Sequence, residues 1–183
     1  KISGKDAEEF IQNQFTNDIG KLDNKKVQIN AYCQHQGKII ALFWVIRMDE
    51  SFLLSFPIDL LERIESRLKM FVIMSDVVIE NVSSLFSQIG LINESSLNEF
   101  RINDNLALLI EDSINHNAEL PQNEIAWNKA CFDSCLPEVY IKTSEKLVPQ
   151  MLNLDINELG VSFSKGCYPG QEVVARLHYL GSA

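Results

Sequence analysis

The sequence has no long apolar run, no surplus of basic charge and no dense spacing of cysteine or histidine, and each absence removes a class of protein. Its longest uninterrupted apolar stretch, Ile39 to Ile46, is strand-sized. That falls well short of the roughly 18 residues that span a bilayer, so no membrane partner is expected. Lysine and arginine number 16 against 25 acidic residues, a net charge of −9, which excludes a broad phosphate-binding face and any strong direct nucleic-acid binding. The four cysteines, Cys33, Cys131, Cys135 and Cys167, are scattered. Cys131 and Cys135 are four apart but have no third and fourth ligand nearby, so no metal site is predicted. A chain of 183 residues buries a core without disulfides, and reduced thiols in a cytoplasmic setting follow. Walker A and dinucleotide-binding glycine patterns are both missing. No signal-peptide pattern is visible, and the opening at Lys1 falls in mid-pattern, so residues are expected before it.

What is present is an ordinary globular composition, 46% hydrophobic and 22% charged. Ser3, followed by Asp6, Glu8 and Glu9, predicts a helix starting after Ser3 with Phe10 and Ile11 inward. Gln12, Gln14, Thr16, Asn17 and Asp18 then surround Phe15 with hydrogen-bonding groups, either as a solvated helix end or as the wall of a pocket. Val27–Cys33 and Ile39–Ile46 read as two strands joined by the polar bend Gln34-His35-Gln36-Gly37-Lys38, with His35 taken as a surface residue. Ser51–Phe56 is another strand, and Leu61, Ile64, Leu68 and Phe71 recur at helical spacing after Pro57. Strands are predicted at 72–81, 85–92, 106–110 and 139–141. Residues 93–105 read as a loop, and 124–135 as a helix. The polar stretch 111–123, with Pro121, reads as a return between subdomains. This order indicates an α+β fold rather than a parallel wind.

Chemistry is densest from Lys165 to Arg176. Gly166, Pro169 and Gly170 impose a bent loop. A helix starting near Gly170 places Glu172 in its first turn, four residues from Arg176, where the two charges can pair. Cys167 has two readings on these residues alone: a thiol favoured as thiolate by Lys165, or a small buried hydrophobe in a glycine-rich turn.

Lys165-Gly166-Cys167-Tyr168-Pro169-Gly170-Gln171-Glu172, with Ala175-Arg176 and Tyr179-Leu180-Gly181, resembles the signature of the YgfZ family of folate-binding proteins, relatives of the glycine-cleavage T-protein. Three further stretches agree with it. They are Ser3 to Ala7 with Phe10 to Gln14 and Thr16-Asn17-Asp18; Gln36-Gly37-Lys38; and Val148-Pro149-Gln150 with Asn153-Leu154. The resemblance implies a T-protein-like region of two interleaved α+β subdomains with mixed or antiparallel sheets. Residues 1–46 plus 116–183 would carry the cysteine motif and 47–115 would be inserted, with a small β-barrel domain expected beyond Gly181.

It further implies that tetrahydrofolate or another reduced folate lies in a central cavity between these parts, anchored by Glu172. Gln14, Thr16, Asn17, Tyr168, Gln171 and Arg176 would lie around the ligand, and Cys167 would be the reactive group with Lys165 as its electrostatic neighbour. The implied function is a largely non-enzymatic accessory protein. It would support iron–sulfur cluster assembly or repair and, through client enzymes, tRNA modification, with iron–sulfur client or assembly proteins as partners. The alternative is a tetrahydrofolate-dependent aminomethyltransferase using Asp59 as its acid.

Overall fold

A computed structural model describes residues 1–113 and 123–181. The order is β1 (Ile2–Ser3), α1 (Ala7–Gln14), β2 (Val27–Cys33), β3 (Ile39–Met48), β4 (Ser51–Ser55), α2 (Leu61–Lys69), β5 (Val78–Ile79), β6 (Phe86–Ile92), β7 (Glu99–Arg101), β8 (Leu106–Asp112), α3 (Glu124–Asp133) and α4 (Gln171–Leu180). The strands form two antiparallel sheets, β2-β3-β4-β1-β5 and β6-β8-β7. The fold is α+β, as expected.

The eight apolar residues of β3 have a structural reason. The strand is covered on both faces, the condition under which a strand loses its alternation and reads as a continuous hydrophobic run. Phe43 and Val45 face α1 and α2, in a core with Phe10, Ile11, Phe15, Ile64 and Leu68. Leu42, Trp44 and Ile46 face the other way, into a second core shared with Leu106, Leu108, Cys131, Leu136 and Val174. The large sheet is therefore the middle layer. Burying each such Leu, Ile or Phe side chain contributes about 1.5–3 kcal/mol, so the two cores fix the strand firmly between the layers.

Several expectations are corrected by long-range contacts. Ser3 does not cap a helix but pairs in β1 with Ser51 and Val78. Gly4, at φ +107, turns the chain so close to residue 76 that an added Cβ would lie 2.1 Å from the Asp76 carbonyl oxygen. Asp6 then stands at the N-cap of α1, but its carboxylate accepts the Asp76 N–H at 2.7 Å instead of capping the helix. The predicted strand 72–81 shrinks to β5. Residues 99–101 form β7 because they pair with β8, a strand too short to show a period. Residues 139–141 form no strand: Val139 is buried, and the Tyr140 carbonyl accepts the N–H groups of Thr143 and Ser144 in a turn. Residues 46 and 47 are consecutive in β3, which pairs with β4 through Met48. Of the predicted return at 111–123, residues 114–122, including Pro121, lie outside the described residues.

Candidate functional site

The loop 165–170 is bent and held at two points. Gly170, at φ +83, lies against the β2–β3 turn, where an added Cβ would be 2.4 Å from the Gln34 carbonyl oxygen. Gly37 in that turn, at φ +75, packs on Val173 of α4, where an added Cβ would be 3.0 Å from the valine Cβ. The Gln36-Gly37-Lys38 bend and the start of α4 thus need each other's glycines. The other anchor is Lys165. Its ammonium donates to the carbonyl oxygens of Gln12 and of Phe15, the latter at 2.5 Å, at the C-terminal end of α1. A cation there satisfies orphan carbonyls and meets the negative end of the helix dipole. Burial lowers the Lys165 pKa to about 8, with Asp18 pulling it back up.

Within the loop the side chains separate by environment. Cys167 is exposed and unpaired. Tyr168 is buried, its ring 5.3 Å from the Lys165 ammonium. Its hydroxyl has no hydrogen-bond partner among the described residues, and burial raises its pKa. Glu172 and Arg176 are both exposed on α4 without an ion pair between them, and Gln171 is half-buried. The far end of α4 is held by His178, which stacks on Phe163 at 4.0 Å and meets Asp155 at 2.9 Å.

Thr16 and Asn17 spend their groups inside the fold. The Thr16 hydroxyl donates to the Gly160 carbonyl oxygen at 2.5 Å and accepts the Ala31 N–H at 2.8 Å. The Asn17 amide donates to the Ile29 carbonyl oxygen, while its own oxygen accepts the Asp18 N–H. Together they stitch β2 to the segment leading into the motif. Gln14 is half-buried, and its amide oxygen has no partner among the described residues.

Two cavities lie elsewhere, along the seam between the sheets. One, of about 340 Å³, is walled by Trp44, Phe56, Trp127 and Tyr140, with Gln88 and Glu138 as polar groups. The chain's two tryptophans meet edge to face there, 6.1 Å apart. The Tyr140 phenol donates to the Glu138 carboxylate, which pushes its pKa up to about 12. The other, of about 260 Å³, is mainly apolar, walled by Ile46, Leu53, Ile64, Leu68, Phe86 and Ile110. Among the described residues, no group of three or more His, Cys, Asp or Glu is placed to hold a metal, and no helix is long and apolar enough to cross a membrane.

No protein-family model matches the chain. An uncharacterized protein of Haemophilus influenzae is 32% identical over 190 aligned positions, covering 100% of this chain and 66% of that protein. The tRNA-modifying protein YgfZ of Colwellia psychrerythraea is 32% identical over 212 positions, 98% of this chain and 64% of its own length. Its namesake in Enterobacter sp. is 28% identical, with 99% and 65% covered. The chain belongs to the YgfZ family. It spans just under two thirds of the length of these curated relatives. The glycine cleavage system aminomethyltransferase T of Bartonella henselae shares its fold, with a TM-score of 0.60 over 98% of this chain and 60% of that one, at 12% identity.

In this YgfZ-family chain, the expected site residues therefore divide. Lys165, Tyr168, Gly170 and the 34–38 turn come together as one packed corner, with Cys167 and Glu172 on its outer surface. Gln14, Thr16, Asn17, Lys165, Cys167, Tyr168, Gln171, Glu172 and Arg176 line neither of the two cavities. Nor does Lys165 act simply as a free charge beside Cys167, because its ammonium is engaged with α1. Sequence reasoning missed the aromatic cavity. The one available signal was the rarity of tryptophan: both copies sit on elements read as regular structure, β3 and α3, whose meeting no local pattern announces.

Proposed function

We propose that this chain is the folate-binding region of an accessory protein that supports iron–sulfur cluster assembly or repair in the cytoplasm and, through client enzymes, modification of tRNA. The observation that carries the reading is the aromatic cavity between the sheets. A reduced pterin is a fused two-ring heterocycle whose pyrimidine half is flat and has a donor-rich edge. Trp44, Trp127, Phe56 and Tyr140 offer ring faces for it, and the Glu138 carboxylate offers an acceptor for its amino and ring N–H groups. The neutral Tyr140 phenol keeps Glu138 oriented. A volume of about 340 Å³ suits a small ligand. Tetrahydrofolate, when bound, supplies a one-carbon carrier; the chain's residues bind and orient it. Membership of the YgfZ family and the T-protein fold support the same ligand class.

Titration with tetrahydrofolate tests this reading. Tryptophan fluorescence is expected to be quenched on binding, and Trp127→Ala to weaken binding by about tenfold or more, the order expected for a stacking partner. Calorimetry showing no heat with the full-length protein would sink it.

Cys167 supplies the second part of the proposal. Its thiol is exposed on a rigidly held loop, and as the described residues place no metal-holding group of His, Cys, Asp or Glu around it, cluster handling requires a partner protein or a second copy of the chain to complete the site. Cys167→Ala is expected to lower a cluster-dependent tRNA methylthiolation in cells while leaving folate binding intact; unchanged methylthiolation removes the thiol from the mechanism. The aminomethyltransferase alternative gains no support from Asp59, which is exposed, accepts the Ile141 N–H at 3.1 Å and lies on neither cavity wall.

A further inference from the structure

The two cavities share three residues, Ser55, Phe56 and Gln88. Ser55 ends β4, opposite Trp44 in the register, and Gln88 lies in β6 of the other sheet. The Ser55 hydroxyl donates to the Gln88 amide oxygen at 2.6 Å, joining the sheets along the line where the cavities meet. Phe56 is fixed by an edge contact with Phe43 at 5.1 Å. Gln88, in contrast, is exposed and has a flexible side chain, so only the Ser55–Gln88 bridge can yield without disturbing the core.

We infer that the two cavities are compartments of one slot, and that the Ser55–Gln88 hydrogen bond is a gate that sorts ligands by length. This rests on the reading that the aromatic compartment takes a pterin ring. A pterin without a further side chain, such as tetrahydropterin, fits that compartment with the bridge intact. A ligand carrying a second, apolar or aryl group must open the bridge to seat that group among Ile46, Leu53, Ile64, Leu68, Phe86 and Ile110. On opening, Gln88 can turn its amide toward the ligand, so part of the lost bond is replaced. Ser55 and Gln88 are thus specificity residues, and neither carries chemistry.

The test compares tetrahydropterin with tetrahydrofolate on the wild type and on Ser55→Ala, which removes the donor and leaves Gln88 in place. An exposed neutral hydrogen bond is modest, so the expected gain in affinity of Ser55→Ala for tetrahydrofolate is about three- to tenfold, with tetrahydropterin affinity unchanged. Equal changes for both ligands, or none for tetrahydrofolate, overturn the gate. If neither ligand binds the wild type, the pterin reading falls by itself. The gate is then judged with anilinonaphthalene sulfonate, a bulky aryl probe, which must bind Ser55→Ala more tightly than wild type; equal binding overturns it. Thermal unfolding of both proteins checks that Ser55→Ala retains the fold.

Discussion

Replacing Gly170 with alanine is expected to cost about 3–5 kcal/mol of stability, a large share of the roughly 5–15 kcal/mol that holds an ordinary domain folded. Two effects add. At φ +83 an L side chain carries about 1–2 kcal/mol of left-handed strain. In addition, the new Cβ would sit 2.4 Å from the Gln34 carbonyl oxygen and 2.9 Å from the Gly37 Cα. Both neighbours are backbone, so neither can step aside as a side-chain tip would. The β2–β3 turn or the start of α4 has to move, and with it the loop bearing Cys167. Gly166→Ala is the matched control. An added Cβ there meets nothing within 4 Å and no positive φ is involved, so a change within about 0.5 kcal/mol is expected. Urea denaturation of the two variants decides it; equal midpoints would refute the packed-corner account of the motif.

Lys165→Met should lower stability by about 2 kcal/mol near neutral pH, since two helix-end carbonyls lose a charged donor at a half-buried site. The pH dependence is more diagnostic than the size. Lys165 titrates at about 8 in the folded protein against an ordinary value of 10.5. Below pH 8 both the folded and the unfolded chain hold the proton, and stability is flat with respect to this group. Between 8 and 10.5 the unfolded chain holds a proton that the folded one has released, so the wild type gains stability from Lys165 as pH rises. The deficit of Lys165→Met relative to wild type is therefore smallest below pH 8 and grows across that window. Burial pushes the Cys33 thiol up to about 12 and the Cys131 thiol up to about 11, which lowers stability above about pH 9, but equally in both proteins, and cancels from the difference. Denaturation at about pH 7 and about pH 9.5 reads the effect. A deficit that shrinks with pH would show that the carbonyls hold the amine charged and dominate over its burial.

Much of the local structure was legible. Leu61, Ile64 and Leu68 announced α2 by spacing, and Ile64 and Leu68 are buried on its inner face. The glycines and proline of the motif announced a bend followed by a helix, and α4 begins at Gln171. The errors fell where a distant segment overrode a local signal. Ser3 carries the composition of a cap and the position of a strand, because β4 and β5 flank it. Glu99–Arg101 is polar enough to read as loop, and it is a strand only because β8 offers an edge.

The site divides along the same line. By itself the sequence determined the α+β class, the bent loop that presents Cys167, the carboxylate in the first turn of α4 and the likeness to a family, since each is carried by neighbours within a few residues. The tertiary structure alone decided that Lys165 closes the end of α1, 150 residues away, that Thr16 is consumed by Gly160 across 144 residues, and that Trp44 and Trp127 wall a cavity. Periodicity and turn chemistry constrain φ, ψ and the direction a side chain faces within one element. They carry no information on which other element will meet that face, and a binding cavity is made of those meetings.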